Sequence, residues 1–286
     1  MRPLFRDTYT AALEAALYSI RHELRRYWSS TLAVLPATEK ERWQGEQSVH
    51  DLVCEQILQT AFASLPFKVS VFSEEATPAQ PSSQGYSLLV DPLDGSHNAI
   101  YGFPAYTCSV ALHDGENYIY GWVYDISRDV VYSAARGEGA YLQTPLVIKR
   151  LATSTRSDLH DLRLTFMRPK EPSAQQAIAR LLWAAGKIRV LSCSSLELCL
   201  IASACLDGFI DISQVGHQRS CDIAAAELIL REAGGLLLDG SFHTRSAVKP
   251  SAIALKDYGS LIALGSEAAL PALMHCLDTS LGEHHV

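Results

Sequence analysis

The sequence predicts an α/β protein built in two halves, an α+β half over residues 1–150 and an α/β half over residues 151–286. Three observations support this prediction. The length of 286 residues fits two domains or one large domain. The first half combines two amphipathic helical patterns with a run of strand-like segments. After it, short apolar runs alternate with helical segments, as they do in α/β proteins. The polar stretch Lys149–Ser157 is the predicted boundary.

The N-terminal half begins with helical patterns. Apolar residues recur at helical spacing over residues 8–27 and again over residues 48–65, with charged residues between them. Residues 68–73 alternate between apolar and polar types as a half-buried strand does. The segment Thr77–Gln84, rich in proline and serine, is predicted to be a surface loop. Further strands are predicted at 86–90, 105–112, 117–124 and 130–135.

The C-terminal half is predicted from the alternation of its segments. Strands are predicted at 162–167, 188–191, 207–212, 235–238 and 261–265. Helices are predicted at 173–185, 194–204, 222–233 and 266–276.

The composition restricts the classes of partner. The chain has 24 basic and 31 acidic residues, for a formal net charge of −7, which argues against binding to nucleic acid or to anionic membranes. No apolar run approaches the ~20 residues of a membrane span, and the N-terminus lacks the apolar core of a signal peptide. We therefore expect a soluble cytoplasmic protein whose partner is a small molecule.

The cysteines predict neither a zinc site nor a disulfide framework. They are Cys54, Cys108, Cys193, Cys199, Cys205, Cys221 and Cys276, an odd set without a Cys-x-x-Cys pair. We expect buried thiols in a reducing compartment. A cysteine nucleophile at Cys108 or Cys193 is set aside, because neither begins a phosphate-binding Cys-x₅-Arg loop.

The most informative segment runs from Leu88 to Asn98, Leu-Leu-Val-Asp-Pro-Leu-Asp-Gly-Ser-His-Asn. An apolar strand leads into Asp91 and Asp94, and Pro92 between them is expected to end the strand, so that both carboxylates converge at its end. Gly95 and Ser96 are expected to begin a helical turn whose free N–H groups favour an anion. Carboxylates beside a phosphate are typical of Mg²⁺ sites. The alternative, from these residues alone, is an ordinary acidic turn.

Two further acidic clusters are each ambiguous in isolation. Glu74 and Glu75 follow the strand predicted at 68–73, where a solvated loop is the ordinary interpretation. Asp222 opens a helix that ends before a Gly-Gly pair, a pattern that helix capping alone would explain.

Taken together, the three segments resemble the inositol monophosphatase family of magnesium-dependent phosphatases. The resemblance rests on Ser73-Glu74-Glu75, on the Asp91–Asn98 motif and on Cys221-Asp222-Ile-Ala-Ala followed by Glu232-Ala-Gly-Gly, and it extends from the first helix to about Gly265. It implies a layered αβαβα sandwich with the active site between the two halves.

The resemblance also implies roles for individual residues. Two or three Mg²⁺ ions are expected on Glu74, Asp91, Asp94 and Asp222 and on the main-chain carbonyl of Leu93.

The phosphate is expected on the N–H groups of Gly95 and Ser96. The attacking water is expected to be oriented by Glu74 and by the hydroxyl of Ser96, where the family usually has threonine. Asp51, in Ser48-Val-His-Asp, is the candidate for supporting the Ser96 hydroxyl and a third metal. Its alternative role is to complement the dipole of its helix.

Three residues are candidates for contacting the rest of the substrate. Ser194 lies in a loop-to-helix segment where most relatives have glycine in place of Ser192. Arg219 matches an arginine of the archaeal-type fructose-1,6-bisphosphatase/inositol monophosphatases and could pair with a second phosphate, or else form a salt bridge within its loop. Asp211 could accept a sugar hydroxyl. His217 and Lys40 are possible further contacts.

The predicted activity is Mg²⁺-dependent hydrolysis of a small sugar or inositol phosphate, either inositol monophosphate or fructose 1,6-bisphosphate. The alternatives are a 3′(2′),5′-bisphosphate nucleotidase, a histidinol-phosphatase, a pathway-specific sugar phosphatase, and a regulatory or binding member without catalysis. The resemblance further implies a homodimer and inhibition by Li⁺.

Overall fold

The computed structural model describes residues 8–31, 43–44, 47–75, 85–213, 217–240 and 259–277. The helices within these ranges are α1 (Thr8–Thr31), α2 (Val49–Ala63), α3 (Ser96–Ile100), α4 (Pro172–Ala184), α5 (Ser194–Ala202), α6 (Ser220–Glu232) and α7 (Leu270–Leu277), with 3₁₀ turns at Leu159–Asp161 and Glu267–Ala269.

The strands form three sheets. The strands are β1 (Trp43–Gln44), β2 (Gln47–Ser48), β3 (Ser70–Ser73), β4 (Ser87–Asp94), β5 (Thr107–His113), β6 (Tyr118–Asp125), β7 (Val130–Ala135), β8 (Gly139–Gln143), β9 (Ile148–Arg150), β10 (Arg163–Phe166), β11 (Lys187–Arg189), β12 (Gly208–Asp211), β13 (Leu236–Asp239) and β14 (Leu261–Leu264). A seven-stranded sheet has the order β3-β4-β5-β6-β7-β8-β9, a five-stranded sheet has the order β11-β10-β12-β14-β13, and β1 pairs with β2. Within the large sheet, β3 and β4 are parallel and the other neighbours antiparallel.

Helices and sheets alternate in five layers. Helices α1 and α2 cover one face of the seven-stranded sheet, as Leu24 and Leu58 share a core with Val110. Helices α5 and α6 lie between the two sheets, and α4 and α7 cover the outer face of the five-stranded sheet. The predicted αβαβα sandwich is therefore confirmed, and it places α6 at the centre of the molecule.

The side-chain alternation of β4 explains how two cores form on the same sheet. Leu88 and Val90 face the core under α1 and α2, whereas Leu89 faces the core that contains α6. The first eleven residues of α6 are buried all round, as expected of a helix enclosed between two sheets. Gly121 in β6 allows this close packing, because a Cβ atom there would lie 2.6 Å from the carbonyl oxygen of Ala225.

The predicted elements exist, with several corrections. Strands β8 and β9 were not predicted; β9 is fully exposed, so the hydrophobic pattern that marks a strand is missing. The helix predicted at 266–276 begins as a 3₁₀ turn, Glu267–Ala269. The predicted loop Thr77–Gln84 lies outside the described residues.

The seven-stranded sheet ends at Arg150, and every strand of the five-stranded sheet follows it. The division into halves at residue 150 stays a prediction. Over the ranges described above, no helix has both the length and the apolar character needed to cross a membrane.

Candidate metal-dependent active site

Parallel pairing of β3 and β4 brings the first acidic residues together. Ser73 is paired with Val90, and the N–H of Glu74 donates to the carbonyl of Val90 at 3.1 Å. Glu74 therefore leaves the sheet beside Asp91, at the end where both strands finish.

Helix α6 brings the third acidic residue to the same place from the other half of the chain. Asp222 lies in its first turn, where a carboxylate oxygen accepts from the main-chain N–H of Arg219 at 3.0 Å. One side-chain ligand atom each of Glu74, Cys221 and Asp222 lie within 4.8 Å of one another. We refer to Glu74, Asp91 and Asp222 as the acid cluster.

The strand that carries the Asp-Pro-Leu-Asp motif does not end at Pro92, as the sequence had suggested. Strand β4 continues to Asp94, which pairs with Thr107, and its register shifts between Asp91 and Asp94. Proline lacks an N–H donor and is tolerated where the ladder is irregular. Inside the bulge, the N–H of Leu93 donates to the carboxylate of Asp91 at 3.0 Å, so the distortion orients the first aspartate of the motif.

Asp94 is held by donors from the C-terminal half. One of its carboxylate oxygens accepts from the N–H of Ser195 at 2.8 Å and from the Ser195 hydroxyl at 2.6 Å. The thiol of Cys193 lies 3.4 Å from the same oxygen. Sequence reasoning missed both Ser195 and Cys193 as partners of Asp94. The available signal was the serine pair at the start of α5, where free N–H groups can donate hydrogen bonds to an anion. Asp94 thus links the two halves at the site.

Burial and like charges raise the pKa values of Glu74, Asp91 and Asp94. Burial, with repulsion from Asp222, raises the pKa of Glu74 to about 8, although the Arg219 guanidinium opposes the shift. Burial and the carboxylate of Glu74 raise the pKa of Asp91 well above its ordinary value. The pKa of Asp94 rises to about 6 through burial, while its bonds from Ser195 oppose the rise. Without a cation, the cluster is electrostatically unfavourable.

The segment after Asp94 is shaped by glycine and asparagine. Gly95 has a φ of 82°, and a Cβ atom there would lie 2.7 Å from the carbonyl oxygen of Ala105. Ser96 then begins the short helix α3. The side-chain amide of Asn98 donates to the carbonyls of Ala105 at 2.8 Å and Leu191 at 2.7 Å. The asparagine of the motif therefore ties α3 to the loop before α5.

Asp51 caps the N-terminus of its own helix. It is buried in the first turn of α2, where its carboxylate accepts from the N–H of Ser48 at 2.8 Å and its own N–H donates to the Ser48 hydroxyl at 3.1 Å. This is a capping box. Burial raises the pKa of Asp51, and nearby His97 lowers it. A role for Asp51 toward Ser96 or a third metal stays a prediction.

The residues predicted to select the substrate lie in different surroundings. Ser194 is buried at the start of α5. Asp211 is fully buried, and its carboxylate accepts from the N–H of His217 at 2.9 Å and lies 3.1 Å from the His217 ring. Asp211 therefore organises the described part of its loop, and any contact with a sugar hydroxyl stays a prediction. Lys40 lies outside the described residues.

Arg219 contacts the acid cluster itself. Its guanidinium bonds to Glu74 and lies 3.4 Å from the carboxylate of Asp222. The guanidinium thus joins the two halves of the chain, and it also forms a local salt bridge with Asp222, three residues later.

The cysteines near the site are neutral thiols. Burial raises the pKa of Cys108, Cys193 and Cys221 well above the ordinary value, the opposite of what a nucleophilic thiolate needs. The thiol of Cys221 donates to Asp222 at 3.2 Å. The expectation that the cysteines are buried is wrong for Cys205, which is exposed.

Glu232, part of the motif at the end of α6, has a structural role that sequence reasoning missed. Its two carboxylate oxygens accept from the N–H groups of Gly137 at 2.7 Å and Gly139 at 2.8 Å, in the turn between β7 and β8. A glutamate just before a Gly-Gly pair gave no signal of this contact, because its partners lie more than 90 residues earlier.

The donor set of the acid cluster fits a magnesium ion. Mg²⁺ prefers carboxylate and carbonyl oxygens, and the cluster supplies carboxylates from three separate elements, with Asp94 next to them. It also already holds a cation, the guanidinium of Arg219.

Comparison with known proteins gives consistent similarities. The model of the inositol monophosphatase family matches residues 6–264. The fructose-1,6-bisphosphatase/inositol-1-monophosphatase of Thermococcus kodakarensis is 31% identical over 189 residues, which are 66% of this chain and 68% of that protein. The Nus factor SuhB of Haemophilus influenzae is 31% identical over 185 residues, 62% of this chain and 66% of that protein. A solved Pyrococcus horikoshii protein, described as similar to inositol-1 monophosphatase, is 25% identical with a TM-score of 0.77, covering 95% of this chain and 98% of that one.

Proposed function

The chain belongs to the inositol monophosphatase family, and from this premise we propose that it is a Mg²⁺-dependent phosphomonoesterase in which water attacks the phosphate. The family and its named members are phosphatases of sugar and inositol phosphates, so the chain is a hydrolase of phosphoric monoesters. The reaction converts a phosphate ester and water into an alcohol and inorganic phosphate.

The convergence of the acids supports the proposal most directly. Glu74 and Asp222 come from opposite halves of the chain, yet their ligand atoms lie within 4.8 Å of each other. A protein without need of a cation would gain stability by replacing such buried like charges. The cluster is therefore best explained as a metal site.

Glu74, Asp91, Asp94, Asp222 and the carbonyl of Leu93 would hold the metal ions. Bound divalent cations would lower the pKa of a coordinated water and neutralise charge on the phosphate and the leaving oxygen.

The protein's own groups would position the reactants. The carboxylate of Glu74 and the hydroxyl of Ser96 would orient the attacking water, and the N–H groups of Gly95 and Ser96 would hold phosphate oxygens. Asp51 would support the Ser96 hydroxyl from α2.

We propose inositol monophosphate or fructose 1,6-bisphosphate as the substrate. The similarity to the Thermococcus kodakarensis protein named for both activities supports this choice. Ser194 and Asp211 would contact the alcohol part of the substrate, and Arg219 a second anionic group.

A substrate panel tests the proposal. Purified protein is assayed for phosphate release from inositol monophosphate, fructose 1,6-bisphosphate, histidinol phosphate and adenosine 3′,5′-bisphosphate, with Mg²⁺ or with excess EDTA. We expect Mg²⁺-dependent turnover of one of the first two, loss of turnover in Asp94→Asn, and normal turnover in the control Asp161→Asn, which changes an exposed aspartate. Full turnover in EDTA would refute the proposal, and preference for either of the last two substrates would replace the substrate assignment.

A second candidate is a regulatory or binding role, favoured by the similarity to the Nus factor SuhB. Such a role would not need the acid cluster for catalysis. In the native host, a chromosomal Asp94→Asn replacement with no phenotype, beside a deletion that has one, would favour this candidate over the enzyme.

A further inference from the structure

Arg219 lies where the two halves of the acid cluster meet. Its guanidinium bonds to Glu74, 145 residues earlier in the chain, and lies 3.4 Å from the carboxylate of Asp222. Its main-chain N–H donates to Asp222 as well, at 3.0 Å. One side chain therefore spans the gap between β3 and α6.

The contacts of Arg219 use the carboxylates that a metal ion would need. A guanidinium is permanently charged and only donates hydrogen bonds. It therefore attracts carboxylate oxygens electrostatically, as a metal ion does. Glu74 and Asp222 cannot present the same lone pairs to the guanidinium and to a metal ion at once. The arginine and the metal are therefore competitors for one position.

The charges decide which competitor is favoured. A single guanidinium carries one positive charge, which cannot neutralise the three carboxylates of the acid cluster. A divalent cation carries twice the charge in a smaller volume, and its attraction to the same oxygens is larger.

The arginine, rather than the acids, is the group able to move. The Arg219 side chain is 24% exposed, somewhat more than the two acids that it contacts, Glu74 at 19% and Asp222 at 9%. The guanidinium stands at the end of a long, flexible side chain and can turn toward solvent.

We infer that Arg219 is an internal counter-cation, which occupies the metal position in the metal-free protein and is displaced when a divalent cation binds. The inference rests on the proposed function, because it takes the acid cluster to be the metal site. Arg219 then has two opposite effects: it stabilises the metal-free fold, and it weakens the apparent affinity for metal.

Metal binding without turnover tests this inference. Mn²⁺ is titrated into EDTA-stripped protein, and free Mn²⁺ is measured by electron paramagnetic resonance. The variants are Arg219→Gln, which removes the charge, and Arg219→Lys, which keeps the charge but lacks the planar fork of five donors. The control is Arg231→Gln, which removes a charge from the same helix, where Arg231 pairs with Glu227 at 3.0 Å.

We expect Arg219→Gln to bind Mn²⁺ about tenfold more tightly than the wild type, a change of ~1.4 kcal/mol, with Arg219→Lys between them and Arg231→Gln within about twofold of the wild type. Metal-free Arg219→Gln should also melt at a lower temperature and gain more from Mn²⁺. If Arg219→Gln does not fold, the inference is tested by whether Arg219→Lys binds Mn²⁺ more tightly than the wild type.

Equal or weaker binding by the Arg219 variants would overturn the inference while leaving the metal site in place, since the arginine would then be positioning the carboxylates for the metal. Failure of the wild type and of every variant to bind Mn²⁺ would overturn both the inference and the proposed function.

Discussion

The carboxylates at the two ends of helix α6 have different surroundings. At the C-terminal end, Glu232 accepts hydrogen bonds from the N–H groups of Gly137 and Gly139, one on each oxygen. At the N-terminal end, Asp222 meets Glu74 and Asp91, and the cation nearby is Arg219. Both acids accept main-chain N–H groups, but Asp222 also lies beside other carboxylates that oppose the ionisation of Asp91.

The difference separates structural from functional carboxylates. An acid that accepts main-chain N–H groups stabilises the turn it binds. Glu74 and Asp91, whose pKa values are raised by burial and by neighbouring carboxylates, destabilise the fold when ionised, and the arrangement is explained by a ligand that the fold itself does not provide. Asp94 is intermediate, because Ser195 supplies two donors while the nearby charge of Asp222 still opposes ionisation.

Replacing an acid at each end should have opposite effects, and the loss of activity is the largest effect that we expect. Asp91→Asn removes a proposed metal ligand and should lower kcat/KM by at least about 100-fold, because even changes in groups that support metal ligands lower activity 10–100-fold. The same change removes a buried like charge, so the metal-free variant should unfold at a higher temperature than the wild type. Phosphate release and thermal unfolding in EDTA measure the two effects.

The matched control is Glu232→Gln. An amide can accept from only one of the two N–H groups, so the free energy of unfolding should fall by about 1–3 kcal/mol, while kcat/KM of the folded protein stays within a few-fold of the wild type. A stable but inactive Glu232→Gln, or an unstable but active Asp91→Asn, would contradict the division between the two ends.

Gly95 tests how tightly the backbone beside the acid cluster is packed. Gly95→Ala places a Cβ atom 2.7 Å from the carbonyl oxygen of Ala105, at a φ of 82° that disfavours any other residue. We expect a loss of roughly 2–4 kcal/mol in the free energy of unfolding, measured by urea denaturation. The matched control Gly102→Ala also has a positive φ but meets no atom within 4 Å, and should lose only about 1 kcal/mol. Equal losses would show that close packing at Gly95 is unimportant.

The acid cluster should also give the metal-free protein an unusual dependence on pH. The pKa values of Glu74 and Asp94 are raised by burial to about 8 and about 6 in the folded protein. The folded state therefore holds protons that the unfolded state has released. The resulting stability is complete below the ordinary carboxyl pKa and is lost as the pH rises through 6 and 8.

Thermal unfolding in EDTA between pH 5 and 8.5 measures this loss. The difference between the wild type and Asp222→Asn isolates the contribution of the carboxylate that raises the pKa values of both Glu74 and Asp94. With saturating Mg²⁺ the trend should reverse, because the metal competes with protons for the same oxygens. A wild-type curve parallel to that of Asp222→Asn in EDTA would show that the repulsion within the cluster does not control the trend.

Local patterns in the sequence could predict an α+β half followed by an α/β half. The αβαβα order and the metal-ligand roles of Asp91 and Asp94 came from the resemblance to the family, since these residues alone also fit an ordinary acidic turn. The short strand β9 was missed because its three residues, Ile148–Arg150, are all exposed and do not alternate between apolar and polar types. Pro92 was expected to end β4, but a bulge lets the ladder resume at Asp94.

The partners of the acids could not be predicted for a different reason. Ser195 reaches Asp94 across 101 residues, and Arg219 reaches Glu74 across 145. Such contacts depend on how the two sheets stack, which no local pattern encodes. The sequence suggested Arg219 as a substrate contact, but its contacts with the metal-ligand candidates Glu74 and Asp222 are visible only in the folded structure.

Replacing Ser192 should give the smallest effect on stability. It tests the loop before α5, to which Asn98 of the N-terminal half is bonded. Ser192 has a φ of 54°, a left-handed conformation that costs a non-glycine residue ~1–2 kcal/mol. Glycine removes this strain but makes the unfolded chain more flexible, so Ser192→Gly should raise the free energy of unfolding by at most about 1 kcal/mol. Asn98 still bonds to Leu191, so kcat/KM should change less than twofold. Ser192→Ala keeps the strain and should give no gain in urea denaturation; an equal gain would trace the effect to the lost hydroxyl rather than to the backbone.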